Sequence, residues 1–307
     1  MSIEYAPREV WIRGTGDYRE PVEGDTPPRL KTLVQESLGV PVRRIGRFIQ
    51  LALIGAGRCA GSRSPGRDTA VYMSSARGDL ETTLDVVETL FRYGMPPMPL
   101  SFVNTVSNAP CYYVARHFDL AGRSNFVCSR SFAFESVLDL ALLDIESGYM
   151  DSALVGSVDI ATSPVAYHRR RLQIGRDEPI AEGSHWLWLH AGECPEDAIG
   201  ELVAAREFGD RDELIEWLSA QPLPIPDTCL AAGQFAARED IAAVRQATGI
   251  ERRFEPPKSP GYYDSQSGGT INAFLHHDRQ RWLVHINGEI DGARCTATIV
   301  RRLDQSS

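Results

Sequence analysis

The chain has 307 residues, 43% of them hydrophobic, and a formal net charge of −9. That is enough apolar sequence for one large core or two modest ones, and the acidic balance excludes a general nucleic-acid role. No run of about 18 apolar residues occurs, so no membrane span is expected, and residues 1–19 are charged without the apolar segment of a secretory signal. Cysteines stand at 59, 111, 128, 194, 229 and 295 with no Cys-x-x-Cys and no paired-His spacing. This predicts no metal site, no cofactor, no disulfide framework and reduced thiols in a cytoplasmic setting.

In chain order, residues 8–16 predict a first strand that ends in a Gly turn. No strand–helix phosphate fingerprint follows it, which removes a nucleotide reading. Residues 21–28 form a Pro-rich loop. Residues 43–55 have helical apolar spacing, with basic residues at the start that read as a solvated end. A strand at 71–75 leads to a helix over 79–93, whose Leu80, Leu84, Val87 and Phe91 share one face. Prolines at 96, 97 and 99 break it, and another helix begins at 107–110.

Asn125, Phe126, Val127, Cys128 and Ser129 read as a strand that runs into a sharp turn. Residues 132–145 are apolar on several faces, which suits a helix inside a core. Gly148 stops that helix, and residues 153–158 give a continuously apolar strand, as in a sheet covered on both sides. A further strand at 182–189 carries Trp186 and Trp188 as alternating core residues, and another follows at 201–205. One short helix at 212–220 is then cut off by Pro222, Pro224 and Pro226.

The run from Gly148 to Gly156, with its Gly-x-x-Asp turn and apolar strand, resembles the nucleophile segment of the β-ketoacyl synthases. Ser75-Ala76-Arg77-Gly78-Asp79-Leu80 and the segment from Phe102 to Ala109 resemble, in particular, the short ketosynthase-like and chain-length-factor-like subunits of type II polyketide systems, including those beside aryl-polyene synthases. The Glu182-Gly183 strand matches the one that closes the family's first half. The resemblance implies an α/β thiolase-like fold: two related halves in a layered αβαβα arrangement, within a single unit spanning 1–307. The halves would cover 1–190 and 195–307, the second one trimmed.

That family condenses acyl and malonyl groups with a Cys thiolate, two His and a nearby Lys. The family's Cys stands seventeen residues before the turn Gly, and the residue at that spacing here is Ser131. The first His would fall on Ala232. The second would fall on Tyr262, with Lys258 kept. The aromatic gating loop is answered by Asn287-Gly288-Glu289-Ile290-Asp291-Gly292-Ala293, without its aromatics. An alanine donates nothing to an oxyanion, and a Ser hydroxyl is a weak nucleophile without a base.

Three readings of the turn remain open. Ser131 caps backbone N–H groups at a helix start. Alternatively it transfers acyl groups with a base drawn from His117, His168, His276 or His277. In the third, Cys128 is the nucleophile, although it stands twenty residues before Gly148.

The resemblance therefore implies a non-catalytic, chain-length-factor-like partner of an active ketosynthase, working on acyl carrier protein substrates. It would pair through the strand Asn125, Phe126, Val127, Cys128 and Ser129. The alternative is a Ser131-dependent acyltransferase or thioesterase. The basic cluster Tyr167-His168-Arg169-Arg170-Arg171 reads either as a dock for an acidic carrier protein or as a solvated loop.

Overall fold

The structure is a computed structural model that describes residues 8–22, 28–41, 45–161, 165–175, 177–276, 279–290 and 292–304, less the side chains of 171 and 172. The first half runs β1 (Val10–Pro21), α1 (Lys31–Leu38), α2 (Arg47–Ala60), β2 (Ala70–Ser75), α3 (Leu80–Phe91), α4 (Pro99–Asn104), α5 (Ala109–His117), β3 (Ser124–Cys128), α6 (Ala133–Glu146), β4 (Ser152–Asp159), α7 (Val165–Leu172) and β5 (Ala181–Ala191). The second half is shorter: β6 (Gly200–Phe208), α8 (Arg211–Ser219), β7 (Thr228–Ala232), α9 (Arg238–Thr248), α10 (Gln266–Leu275), β8 (Trp282–Gly288) and β9 (Cys295–Arg302).

The strands lie in the order β3-β2-β4-β5-β1-β6-β9-β8-β7. In the first run β2 pairs in parallel with β3 and β4, and β5 pairs antiparallel with β4 and β1. The second run repeats this pattern, with β7 parallel to β8 and β9 antiparallel to β8 and β6. The two runs are joined in the sheet where Trp11 pairs with Glu201 and Ile12 with Gly200.

Among the described residues the repeat lacks its fifth strand. Where β3 lies along β2, β7 has only a parallel bridge between Leu230 and Arg253. Leu230 N–H donates to Arg252 O at 2.9 Å, and Phe254 N–H to Leu230 O at 3.0 Å. The expected trimming of the second half therefore falls most visibly on this strand.

Side-chain alternation explains the layers. In β4 and β5, Ala153, Val155, Leu187 and Leu189 face a central cluster. Leu154, Val158, Trp186 and Trp188 face an outer cluster built with α1, α2 and α5. Helix α6 is buried on several faces because it packs on β2 and β4 of one run and β6 of the other; α10 packs on β5, β1 and β8. A third cluster joins α8 and α9 to the outer face of β7, β8 and β9. The result is a five-layered αβαβα stack. Helix α6 ends as the sequence predicts, with Gly148 at φ +73° and its N–H on Ile145 O.

Three local expectations need correction. The first strand does not stop in a Gly turn but runs on to Pro21. Gly16 is there for close approach, since a Cβ would lie 1.9 Å from Gly55 O on α2. The helix predicted over 43–55 is observed at Arg47–Ala60, and 42–44 fall outside the described residues. Helix α3 starts as its sequence suggests, with Asp79 accepting from Thr82 N–H. Its apolar stripe, however, is not buried: Leu80 and Leu84 are half-buried, Val87 is exposed and Phe91 is 84% exposed, while Val86 is the helix's one buried residue.

Candidate active-site region

The carboxyl ends of the parallel strands β2, β3 and β4 bring Ser75, Cys128 and Asp159 to one end of the first sheet. The ends of β7 and β8 supply Ala232 and Gly288. This is where an open α/β sheet presents functional groups.

Ser131 precedes α6 and is half-buried. Its Oγ accepts Ile290 N–H at 3.2 Å, from the loop after β8. It caps a neighbouring loop, not its own helix, whose start has no side-chain cap. One turn further on, Glu135 is buried, and its Oε1 accepts Ser267 Oγ–H at 2.7 Å and Asn287 Nδ2–H at 2.8 Å. Asn287 Oδ1 in turn accepts Gly288 N–H at 3.0 Å and Phe235 N–H at 3.2 Å. Burial raises the Glu135 carboxyl, and its hydrogen bonds oppose that rise. The network ties α6 and α10 to the ends of β7 and β8.

Ala232 stands exposed at the end of β7. The Tyr262 hydroxyl donates to Asp264 Oδ1 at 2.8 Å, and the Tyr262 backbone pairs with Pro179 and Ala181. Lys258 is exposed and makes no ion pair among the described residues. The structure thus places Tyr262 on Asp264 and leaves Lys258 apart. Asp264 also receives Arg77 Nε–H at 3.3 Å. Asp159 is 5% exposed, and its Oδ1 accepts Ser75 Oγ–H at 2.8 Å and Ala76 N–H at 2.9 Å. Burial, then the neighbouring Asp264 carboxylate, push Asp159 up to about 7.

Cys128, exposed as a residue, turns its sulfur to Ala76 O at 3.6 Å. Burial of that sulfur and the Asp159 carboxylate raise its thiol, with Arg77 opposing. A nucleophilic Cys needs the reverse. The candidate bases do not gather at Ser131 either. His117 meets Phe118 edge-on, His276 Nε2 lies 2.7 Å from Thr15 Oγ1, and His168 is buried in α7. His277 lies outside the described residues. Among the described residues, Ser131 therefore has no hydrogen-bonded base.

No protein-family model and no curated protein matches the chain by sequence. Solved structures do match. The ishigamide ketosynthase/chain length factor superposes with a TM-score of 0.71 at 14% identity, covering 96% of this chain and all of that one. A type II polyketide ketosynthase in complex with its acyl carrier protein, AntDE:AntF, gives 0.74 at 14%, covering 97% and all. The PfaC ketosynthase–chain length factor gives 0.70 at 12%, covering 99% of this chain and 44% of that one. OleA of Xanthomonas campestris also matches, with a TM-score of 0.59. The chain has the thiolase-like ketosynthase fold.

Inside this ketosynthase fold lie groups that sequence reading missed. Asp17 and His185 sit opposite each other in the β1–β5 register, with Oδ1 and Nδ1 2.5 Å apart. His185 Nε2 lies 3.0 Å from the Tyr263 hydroxyl, and both rings are buried. This relay pins the segment that carries Tyr262 and Asp264. Only strand pairing joins residues 17 and 185, so nothing local signals it. Glu135 shares its apolar run with Asp139 and Asp144, so the sequence does not single it out. In the basic cluster on α7, Arg169 donates to Gly175 O and Glu178 O, and the Arg170 guanidinium lies 5.9 Å from the Tyr167 ring centroid. Arg169 is thus held by the following loop. The side chain of Arg171 lies outside the described residues.

Proposed function

We propose that the chain is a chain-length-factor-like subunit that pairs with an active ketosynthase and carries no condensing chemistry of its own. The observation that carries this is the state of the three expected catalytic positions. Ser131 is bound to the Ile290 N–H, Ala232 has no functional group, and the Tyr262 hydroxyl is committed to Asp264. Decarboxylative condensation needs a nucleophile and oxyanion donors that none of these supplies.

Two surface features support a partner. Strand β3 is the outermost strand of its sheet and offers Asn125, Phe126, Val127 and Cys128 along a free edge, leading on to Ser129. Beside it stands an exposed apolar surface that includes Phe91, Met98, Phe102, Val103 and Tyr112, between 56% and 84% exposed. A patch of this kind marks an interaction site. The Cys111 Sγ contact to Asn125 O places α5, which carries Tyr112, against β3.

The carrier protein would dock on the ketosynthase partner, since acidic carrier proteins and a −9 subunit repel. The test is co-expression with an intact type II ketosynthase, followed by size-exclusion chromatography and a malonyl condensation assay. A heteromer whose activity resides in the partner's Cys is expected. Condensation by the purified chain alone would overturn the reading, and so would fluorophosphonate labelling at Ser131.

A further inference from the structure

We propose that the cleft between α2, α3 and α4 receives a basic side chain, Lys or Arg, from the partner subunit. This rests on the pairing just proposed and adds where, and with what chemistry, the partner is recognised. The cleft has a volume of about 770 Å³, with Arg47, Glu81, Asp85, Met98, Leu100 and Asn104 on its walls.

Its charge is unbalanced. Among the described residues Arg47 is the one cation on these walls, and it is already used: it forks onto the fully buried Glu182 and gives a further N–H to Pro28 O. Glu81 and Asp85 form no ion pair among the described residues. Asp79 lies directly behind, turned to Thr82. Burial raises the carboxyls of Asp79 and Glu81; for Glu81, Arg47 opposes the rise, while Asp79, Glu182 and Asp85 add to it.

The second observation is independent of charge. Asn104 is only 6% exposed, and its Oδ1 is buried with no donor among the described residues. A buried acceptor without a partner is rare and costly, so the site calls for a donor. An ammonium or guanidinium brings positive charge and three to five N–H groups together.

The size and rim of the cleft identify the carrier of that charge. Its volume far exceeds that of a lone ion and suits a side chain with part of the chain that holds it. Met98, 71% exposed, and Leu100, 39% exposed, continue from the cleft into the exposed apolar surface of α3 and α4. The occupant is therefore a basic residue flanked by apolar ones on a protein surface, not a free polyamine.

The experiment uses the full chain and the co-expressed ketosynthase, with affinity measured by biolayer interferometry. The Glu81→Gln/Asp85→Asn double variant is expected to weaken the complex at least tenfold, mainly through a faster off-rate, and to flatten its salt dependence. Asp85→Lys should weaken it further. Zero-length carbodiimide coupling, read by mass spectrometry, should join Glu81 or Asp85 to a partner lysine or, where the partner presents arginine, leave both uncoupled while protecting them from modification.

An affinity within twofold of wild type for the double variant, with its unfolding temperature unchanged, would overturn the inference and leave the pairing intact. If that affinity is unchanged but Arg43→Ala/Arg44→Ala destabilises the isolated chain as the double variant does, the cleft serves this chain's own arginines and the inference fails. Competition by millimolar spermine with no effect of the partner would also overturn it. Absence of any complex with the wild-type chain would instead overturn the pairing itself.

Discussion

Asp159→Asn is the substitution whose effect the structure fixes most closely. The wild-type carboxyl is buried at the end of β4 and accepts from Ser75 and Ala76 through Oδ1, while Oδ2 makes no hydrogen bond among the described residues. Its folded value of about 7 lies well above the ordinary aspartate range, so the protonated form is the better tolerated one in the folded state. The corresponding stability is fully present below about pH 4. It is lost progressively as pH rises to about 7, because the folded state binds the proton more tightly than the unfolded state.

A rise of that size corresponds to at most about 4 kcal/mol above pH 7. Asn keeps the acceptor for Ser75 and Ala76 without the charge. Repulsion from Asp264 is shared between the two carboxylates, so roughly 1–3 kcal/mol should be recovered. Urea unfolding followed by the fluorescence of Trp186 and Trp188 measures this at pH 5 and pH 8. The variant should be the more stable protein at pH 8, and its advantage should shrink at pH 5. A variant no more stable than wild type at pH 8, or a difference independent of pH, would refute the reasoning.

Gly16→Val should destabilise by about 3 kcal/mol, because the new Cβ meets Gly55 O and α2 must move off β1; thermal unfolding checks it. Ser131→Ala should cost about 1 kcal/mol, through loss of the acceptor for Ile290 N–H. Its signature is faster amide exchange at Ile290, while Ser131→Cys should yield no condensation, since Ala232 and Tyr262 supply no imidazole. Phe91→Asp should leave the isolated chain's unfolding midpoint unchanged and weaken the partner complex at least tenfold, as read by analytical ultracentrifugation. Phe126→Asp is not an equivalent probe: Phe126 is half-buried, edge-on to Phe48 at 6.3 Å, so it should also destabilise the free chain.

The first half was legible because its signals are local. The apolar, many-faced helix from Phe132 and the alternation around Trp186 and Trp188 each name their own layer. The second half was harder, since α9 has a single buried residue, Val244, and a vanished strand leaves no motif. At the site, spacing located Ser131 and Tyr262 but not their partners. Ile290 and Ser131 lie far apart in sequence, and His185 finds Asp17 only through strand pairing. Phe126 was read as a partner-facing residue because β propensity does not say which face a strand residue covers. Its packing against Phe48 belongs to the chain's own outer layer.

The asymmetry between the halves bears on how many chains can assemble. Each half of a layered repeat ends in an outer strand, and two open edges on one molecule would let copies add without limit. Here the second run ends at β7, whose outer side is already engaged at Leu230 by Arg252 and Phe254. The first run ends at β3, which pairs only with β2 among the described residues. Among the described residues, β3 is the edge left open along its length, and such an edge is where a pairing strand from a partner would add. The exposed apolar surface of α3, α4 and α5 lies on the same half, so burial and strand pairing point to the same neighbour. Without a fifth strand in the second run, β7 is covered at Leu230 alone, so β3 is the edge that the proposed pairing would use along its whole length.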